Sequence, residues 1–94
     1  MYQFEADISN TTDASYMLGT CEKIRYVVLH NTHNVTKMQH MFYRSRYLVE
    51  VHMPGDVSNV ENVTGMNEGV TSEGTFYYNP AYEYSKIIAQ LPAT

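Results

Sequence analysis

Tyr2, Phe4, Ala6 and Ile8 alternate with Gln3, Glu5 and Asp7. A two-residue period puts successive side chains on opposite faces of an extended backbone, so the chain opens with a half-buried strand whose outer face is acidic. Three further segments read as strands. Residues 24–29 are β-branched and aromatic and read as a more central strand. Residues 47–53 alternate, with Tyr47, Val49 and Val51 facing one way and Arg46, Leu48, Glu50 and His52 the other, until Pro54-Gly55-Asp56 stops them. Thr75-Phe76-Tyr77-Tyr78 reads as a fourth strand.

The segments between them predict short helices. Residues 13–18 fit one, closed by Gly19. Met38, Met41, Phe42 and Ser45 sit at helical spacing, which fits a helix or the rising arm of a hairpin. Ser58-Asn59-Val60-Glu61 matches a capping box that would start a brief helix ending by Gly65. Gly69 and Gly74 bracket a loop. Asn79-Pro80 predicts the start of a closing helix with Ala81, Tyr84, Ile87, Ile88 and Leu91 as its apolar stripe. The order predicts a single α+β domain over residues 1–94. Its expected form is a small antiparallel sheet of about four strands with short helices, in ferredoxin-like βαββαβ order plus a C-terminal helix. No linker, low-complexity segment or internal repeat stands out. An acidic edge strand at the N-terminus invites pairing with another chain, so homodimerisation is an expectation.

The net charge of −4 argues against general nucleic-acid binding, and its distribution says more. Residues 1–22 carry Glu5, Asp7, Asp13 and Glu22 and no base; residues 23–46 carry Lys23, Arg25, Lys37, Arg44 and Arg46 and no acid. Residues 47–94 are again acidic, with Lys86 as their one base. The middle block forms a positive face if its members meet; otherwise it pairs with acidic neighbours. No run of apolar residues spans a bilayer, and the start lacks the basic and apolar stretches of a secretory signal. Cys21 is the only cysteine, so no intramolecular disulfide forms and a reducing, cytoplasmic setting is expected.

Three constellations bear on chemistry. His30-x-x-His33, with His40 or Cys21 nearby, has zinc-ligand types, but no second close pair completes a tetrahedral site, so no metal or other cofactor is expected. Residues 27–33, an apolar strand followed by His30-Asn31-Thr32, resemble one half of the 2H phosphoesterase signature. That resemblance implies a proton-handling His30 and a phosphate-holding Thr32, and it needs a second His-x-Ser/Thr motif, which this chain lacks. Lys23, Arg25, Lys37, Arg44 and Arg46, interleaved with His30, His33, Tyr43 and Tyr47, form the third: cations for an anionic partner and rings for stacking or contact. Cys21 has no base beside it in sequence and reads as a small apolar residue. Asn79-Pro80-Ala81-Tyr82 matches a sorting signal, but starting an amphipathic helix explains the same residues.

The expectation is a small non-enzymatic protein-interaction module without cofactor. Its site is the nine basic and aromatic residues of the third constellation, and its partner is a protein with an acidic surface. Phage and viral accessory proteins that inhibit a host protein have this size and composition, which would place the chain in the host cytoplasm. The alternatives are a ligand- or nucleic-acid-binding domain using the same patch, and a small phosphodiesterase or metal-dependent enzyme around His30 and His33.

Overall fold

The computed structural model describes residues 3–21, 23–70 and 74–89. Four strands lie in chain order in one sheet: β1 (Gln3–Asp7), β2 (Tyr26–His30), β3 (Glu50–Met53) and β4 (Thr75–Tyr78). All three pairings are parallel. Gln3 lies against Tyr26, Tyr26 against Glu50 and Glu50 against Thr75, so the chain returns to the same place after 23, 24 and 25 residues. The arrangement is that of a β-solenoid, which corrects the antiparallel, ferredoxin-like α+β expectation. A parallel connection needs about a dozen residues or more to carry the chain back to the start of the next strand. Residues 8–25, 31–49 and 54–74 all exceed that, whereas a hairpin would need only a few.

The returning segments are turns, and the turns repeat. Ile8, Thr32 and Val57 each accept a hydrogen bond from the N–H three residues on; so do Ala14, Met38 and Val63, and then Tyr16, His40 and Gly65. Successive coils are joined in register, with Ala14 N–H donating to the Lys37 carbonyl and Met38 N–H to that of Asn62, both at 2.8 Å. The chain therefore does contain an internal repeat, contrary to the sequence reading.

The short helices are replaced for a backbone reason. Tyr16, His40 and Gly65 occupy one coil position and Thr20, Arg44 and Gly69 another, and all six have φ between 53° and 83°. Tyr16 and His40 interrupt any right-handed helix over 13–18 or 35–43. Over 58–65, where Gly65 stands at the expected end, Asn62 is instead bridged to Lys37 of the preceding coil. Met38, Met41, Phe42 and Ser45 are buried nonetheless, because consecutive turns present an inward set much as a helix does. Ser58 starts no helix: its N–H donates to Asp56 Oδ1 at 2.8 Å. The closing helix shrinks to α1 (Ser85–Ile88). Its Tyr84 and Ile87 are buried as expected, while Ala81 and Ile88 are exposed. Asn79 closes a local turn by accepting from Ala81 N–H. Tyr2, Leu91 and residues 71–73 of the expected loop lie outside the described residues. In the third strand Leu48 is buried and Tyr47 exposed, because regular alternation begins only at Glu50.

The core runs up the inside of the stack. Val27 and Leu29, Val51 and Met53, and the half-buried Phe76 line the sheet side. Ala14, Met38 and Val63 line the opposite wall, with Met41 and Met66 beside them. Two buried hydroxyls tie adjacent coils: Ser45 Oγ donates to the Leu18 carbonyl at 2.5 Å and Thr32 Oγ1 to that of Asp56 at 3.0 Å. Among the described residues no buried side-chain polar atom lacks a partner, and no helix is long and apolar enough to cross a membrane.

Candidate binding face

The sheet has one face toward the core and one outward. Alternation places Gln3, Glu5 and Asp7 of β1, Tyr26, Val28 and His30 of β2, Glu50 and His52 of β3, and Thr75 and Tyr77 of β4 outward. Parallel sheets are normally covered on both faces; here α1 docks elsewhere and the outward face carries no described helix. Its polar groups hold one another. His30 Nε2–H donates to Glu5 Oε2 at 2.7 Å, across the β1–β2 pairing. His52 Nε2–H donates to Glu50 Oε2 at 2.8 Å along β3. The Tyr77 ring stacks on His52 at 4.2 Å with a 6° interplanar angle, and Tyr77 is 44% exposed. At the β1 end, hydrogen bonds first from the Ser9 N–H and then from the Asn31 side chain hold the Asp7 carboxyl below the usual carboxylate range, with His30 adding a smaller attraction.

A second cluster sits on the turn side. The Tyr16 ring stacks on His40 at 4.9 Å and 8°, Tyr43 meets both edge-on, and the Arg44 guanidinium lies 5.1 Å over Tyr43. His40 Nε2 is 3.4 Å from Glu68 Oε2. The stack has room because the next residue in the column is Gly65, where a Cβ would come within 2.5 Å of His40 Nε2.

The nine expected site residues are thus spread over several places. Lys23 and Arg25 lie in the loop entering β2, and Arg25 sits 5.4 Å over Tyr47, in the equivalent loop of the next coil. Arg44 and Arg46 lie in a turn, not on a strand face. Tyr43 joins the ring cluster beside His40. Lys37 is exposed opposite Asp13; the Asp13 carboxyl is held low mainly by Ser15 and to a lesser degree by this cation. His33 is exposed, and its carbonyl accepts from Asn59 Nδ2 at 2.7 Å. His30 faces outward on β2, whereas His40 lies in the turn cluster. Among the described residues no three metal-ligating side chains converge. Thr32, the hydroxyl of the phosphoesterase-like motif, is buried and bonded to Asp56.

Sequence reasoning missed Glu5, Glu50, His52 and Tyr77 as a group. Their shared face follows only from stacking the chain at 23 to 25 residues, the spacing that also brings His52 against Tyr77. No protein-family model matches the chain, and neither curated proteins nor solved structures give a significant match.

Proposed function

We propose that the chain is a non-enzymatic protein-interaction module whose contact surface is the outward face of the parallel sheet. The observation that supports this most is the preordered patch itself: two imidazole–carboxylate pairs and a stacked tyrosine, on a backbone fixed by three parallel ladders. Side chains already held in place lose little freedom on binding, and tyrosine supplies wide contact area with a polar tip. Lys23 and Arg25 are exposed just before β2, at the end where the strands begin, so a protein with acidic groups near that end and apolar groups at its centre fits Val28, Tyr26 and Tyr77.

A photoreactive residue replacing Tyr77 is expected to crosslink a partner protein, and the same residue at exposed Glu61 on the turn side is not. The double variant Arg25→Glu with Tyr77→Ala should lose the partner while its circular dichroism stays unchanged. Equal retention of the partner by that variant would contradict the proposal. Binding that falls steeply with salt would favour the nucleic-acid alternative.

A further inference from the structure

Among the described residues no coil packs on the outer side of the first one, which keeps the backbone pattern of an internal junction. At each internal junction, carbonyls of the later coil accept from the earlier one: Lys37, Gln39, Met41 and Tyr43 accept from Ala14, Tyr16, Leu18 and Thr20. One coil further on, Asn62, Thr64, Met66 and Glu68 accept from Met38, His40, Phe42 and Arg44. The equivalent carbonyls of the first coil are those of Asp13, Ser15, Met17 and Gly19. No described residue donates to the first three, and among the described residues Gly19 accepts only from its neighbours Thr20 Oγ1 and Cys21 Sγ. An asparagine column shows the same break. Asn34 Nδ2 donates to the Ser9 carbonyl and Asn59 Nδ2 to that of His33, each at 2.7 Å, while the equivalent Asn10 amide meets no described residue.

The strand edge is open in the same way. Ile8 N–H donates to the His30 carbonyl, so by alternation Phe4 and Ala6 bond β2, and Gln3, Glu5 and Asp7 turn their N–H and C=O outward from the sheet edge. The Tyr16 ring covers His40 on one side and is 57% exposed.

We infer that this end is a docking surface for one further parallel coil, supplied by a basic segment of a partner polypeptide. The pattern selects that occupant. Three turn carbonyls need N–H donors at alternate residues, which a coil of this type provides. Residues 3–21 carry Glu5, Asp7 and Asp13 and no base, so the added coil carries cations there, as this chain's second coil sets Lys37 against Asp13 and His30 against Glu5. A second copy stacked head to tail could offer its Val63, Gly65 and Gly69 N–H groups but would set Glu50, Asp56, Glu61 and Glu68 against the acids of the first coil. One turned end to end fails on both counts, with its turn carbonyls facing carbonyls and acids facing acids.

The probe is a synthetic peptide of residues 25–48, which has the turn and strand of a coil, four Lys or Arg residues and no acid. It is titrated into the ¹⁵N-labelled full chain. Amide exchange of Gln3, Glu5 and Asp7 is expected to slow and the Asn10 side-chain amide signals to shift. Glu5→Pro, which removes one edge N–H but none that bonds β2, should weaken binding about tenfold or more, and Asn10→Ala, which breaks no described contact, should weaken it several-fold. Glu5→Gln keeps the N–H but removes one of the three acids, and should weaken binding less than Glu5→Pro does. Absence of peptide binding, equal binding of a scrambled peptide, or unchanged affinity in both Glu5→Pro and Asn10→Ala would overturn the inference. So would a dimer of the chain that competes with the peptide.

Discussion

The two ends of the coil stack share an edge strand each but are finished differently on the turn side. At the C-terminal end, Tyr84 is buried and its hydroxyl hydrogen is shared between the carbonyls of Met53, at 2.6 Å, and Gly55, at 2.5 Å. Ile87 packs beside it, and Lys86 Nζ reaches the Val60 carbonyl at 3.4 Å. These contacts close the third coil at its Tyr84 corner; β4 is an edge strand, and no described residue accepts from the Val63, Gly65 or Gly69 N–H. At the N-terminal end Ile8, Ala14 and Leu18 are buried, but Phe4, Ala6 and Met17 are only half-buried and the outer ladder groups have no described partner. In a stack where each coil touches only its neighbours, stability is a sum of coil and junction terms. The closed end holds a junction term that the open end lacks.

The difference can be broken most strongly at the closed end. Tyr84→Ala should cost about 3–5 kcal/mol, the range for removing a buried aromatic side chain. Met17→Ala at the open end should cost only about 1 kcal/mol. Urea denaturation of both variants measures the contrast, and equal losses would erase it.

Tyr84→Phe isolates the hydroxyl and should cost about 1–2 kcal/mol. Burial, above all, raises the Tyr84 pKa above its ordinary value near 10. The folded state therefore favours the neutral phenol. Its contribution is complete below the unfolded pKa and is lost as pH rises from there through the folded value. Unfolding above about pH 10 should be milder in Tyr84→Phe than in the parent.

The coil positions with positive φ sharpen the comparison further. Thr20 has φ 56° and Gly69, two coils on, has φ 83°. A left-handed conformation costs a β-branched residue about 1–2 kcal/mol, so Thr20→Gly should raise stability by about 1 kcal/mol. Gly69→Ala should lower it by about 1 kcal/mol or more, since its Cβ would also meet Arg44 Cγ at 2.9 Å.

The smallest effect is acidic. Asp7, Asp13, Asp56 and Glu83 are all held below their ordinary pKa values, mainly by hydrogen bonds from Ser9, Ser15, Ser58 and Ser85 respectively. A lowered folded pKa adds stability above the unfolded pKa and loses it as pH falls through the folded one. Stability should decline below about pH 4, with a shallower slope in Asp56→Asn, as read from denaturation midpoints across pH 3 to 6.

The strands were legible because alternation is local. β1 and β4 appear where Phe4 and Ala6, and Thr75 to Tyr78, place them. Strand direction was not legible, because it depends on how residues some two dozen positions apart stack. The repeat is also disguised. Asn34-Val35-Thr36 and Asn62-Val63-Thr64 are identical triplets 28 residues apart, yet Lys37 pairs with Asn62 and Asn34 is equivalent to Asn59. Asp7-Ile8-Ser9-Asn10 and Asp56-Val57-Ser58-Asn59 are the true echo, two coils apart and each closed by a serine N–H on the aspartate. Residues such as Met38 and Met41 recur at i and i+3 in these turns as in a helix, and nothing in their types announces that His40 between them has positive φ. The candidate face failed for the same reason: His30 was visible as a polar residue ending a strand, but its partner Glu5 lies 25 residues away.

The parallel stack itself is tested most directly by inter-strand proton contacts in solution NMR. The expected result is a set of contacts that run in one direction, Val27 with Val51 and Val28 with His52, then Glu50 with Thr75 and Val51 with Phe76, together with ring contacts between Tyr16 and His40. Contacts whose partner numbers fall as the residue number rises, as across an antiparallel hairpin, would contradict the solenoid and the two ends built on it.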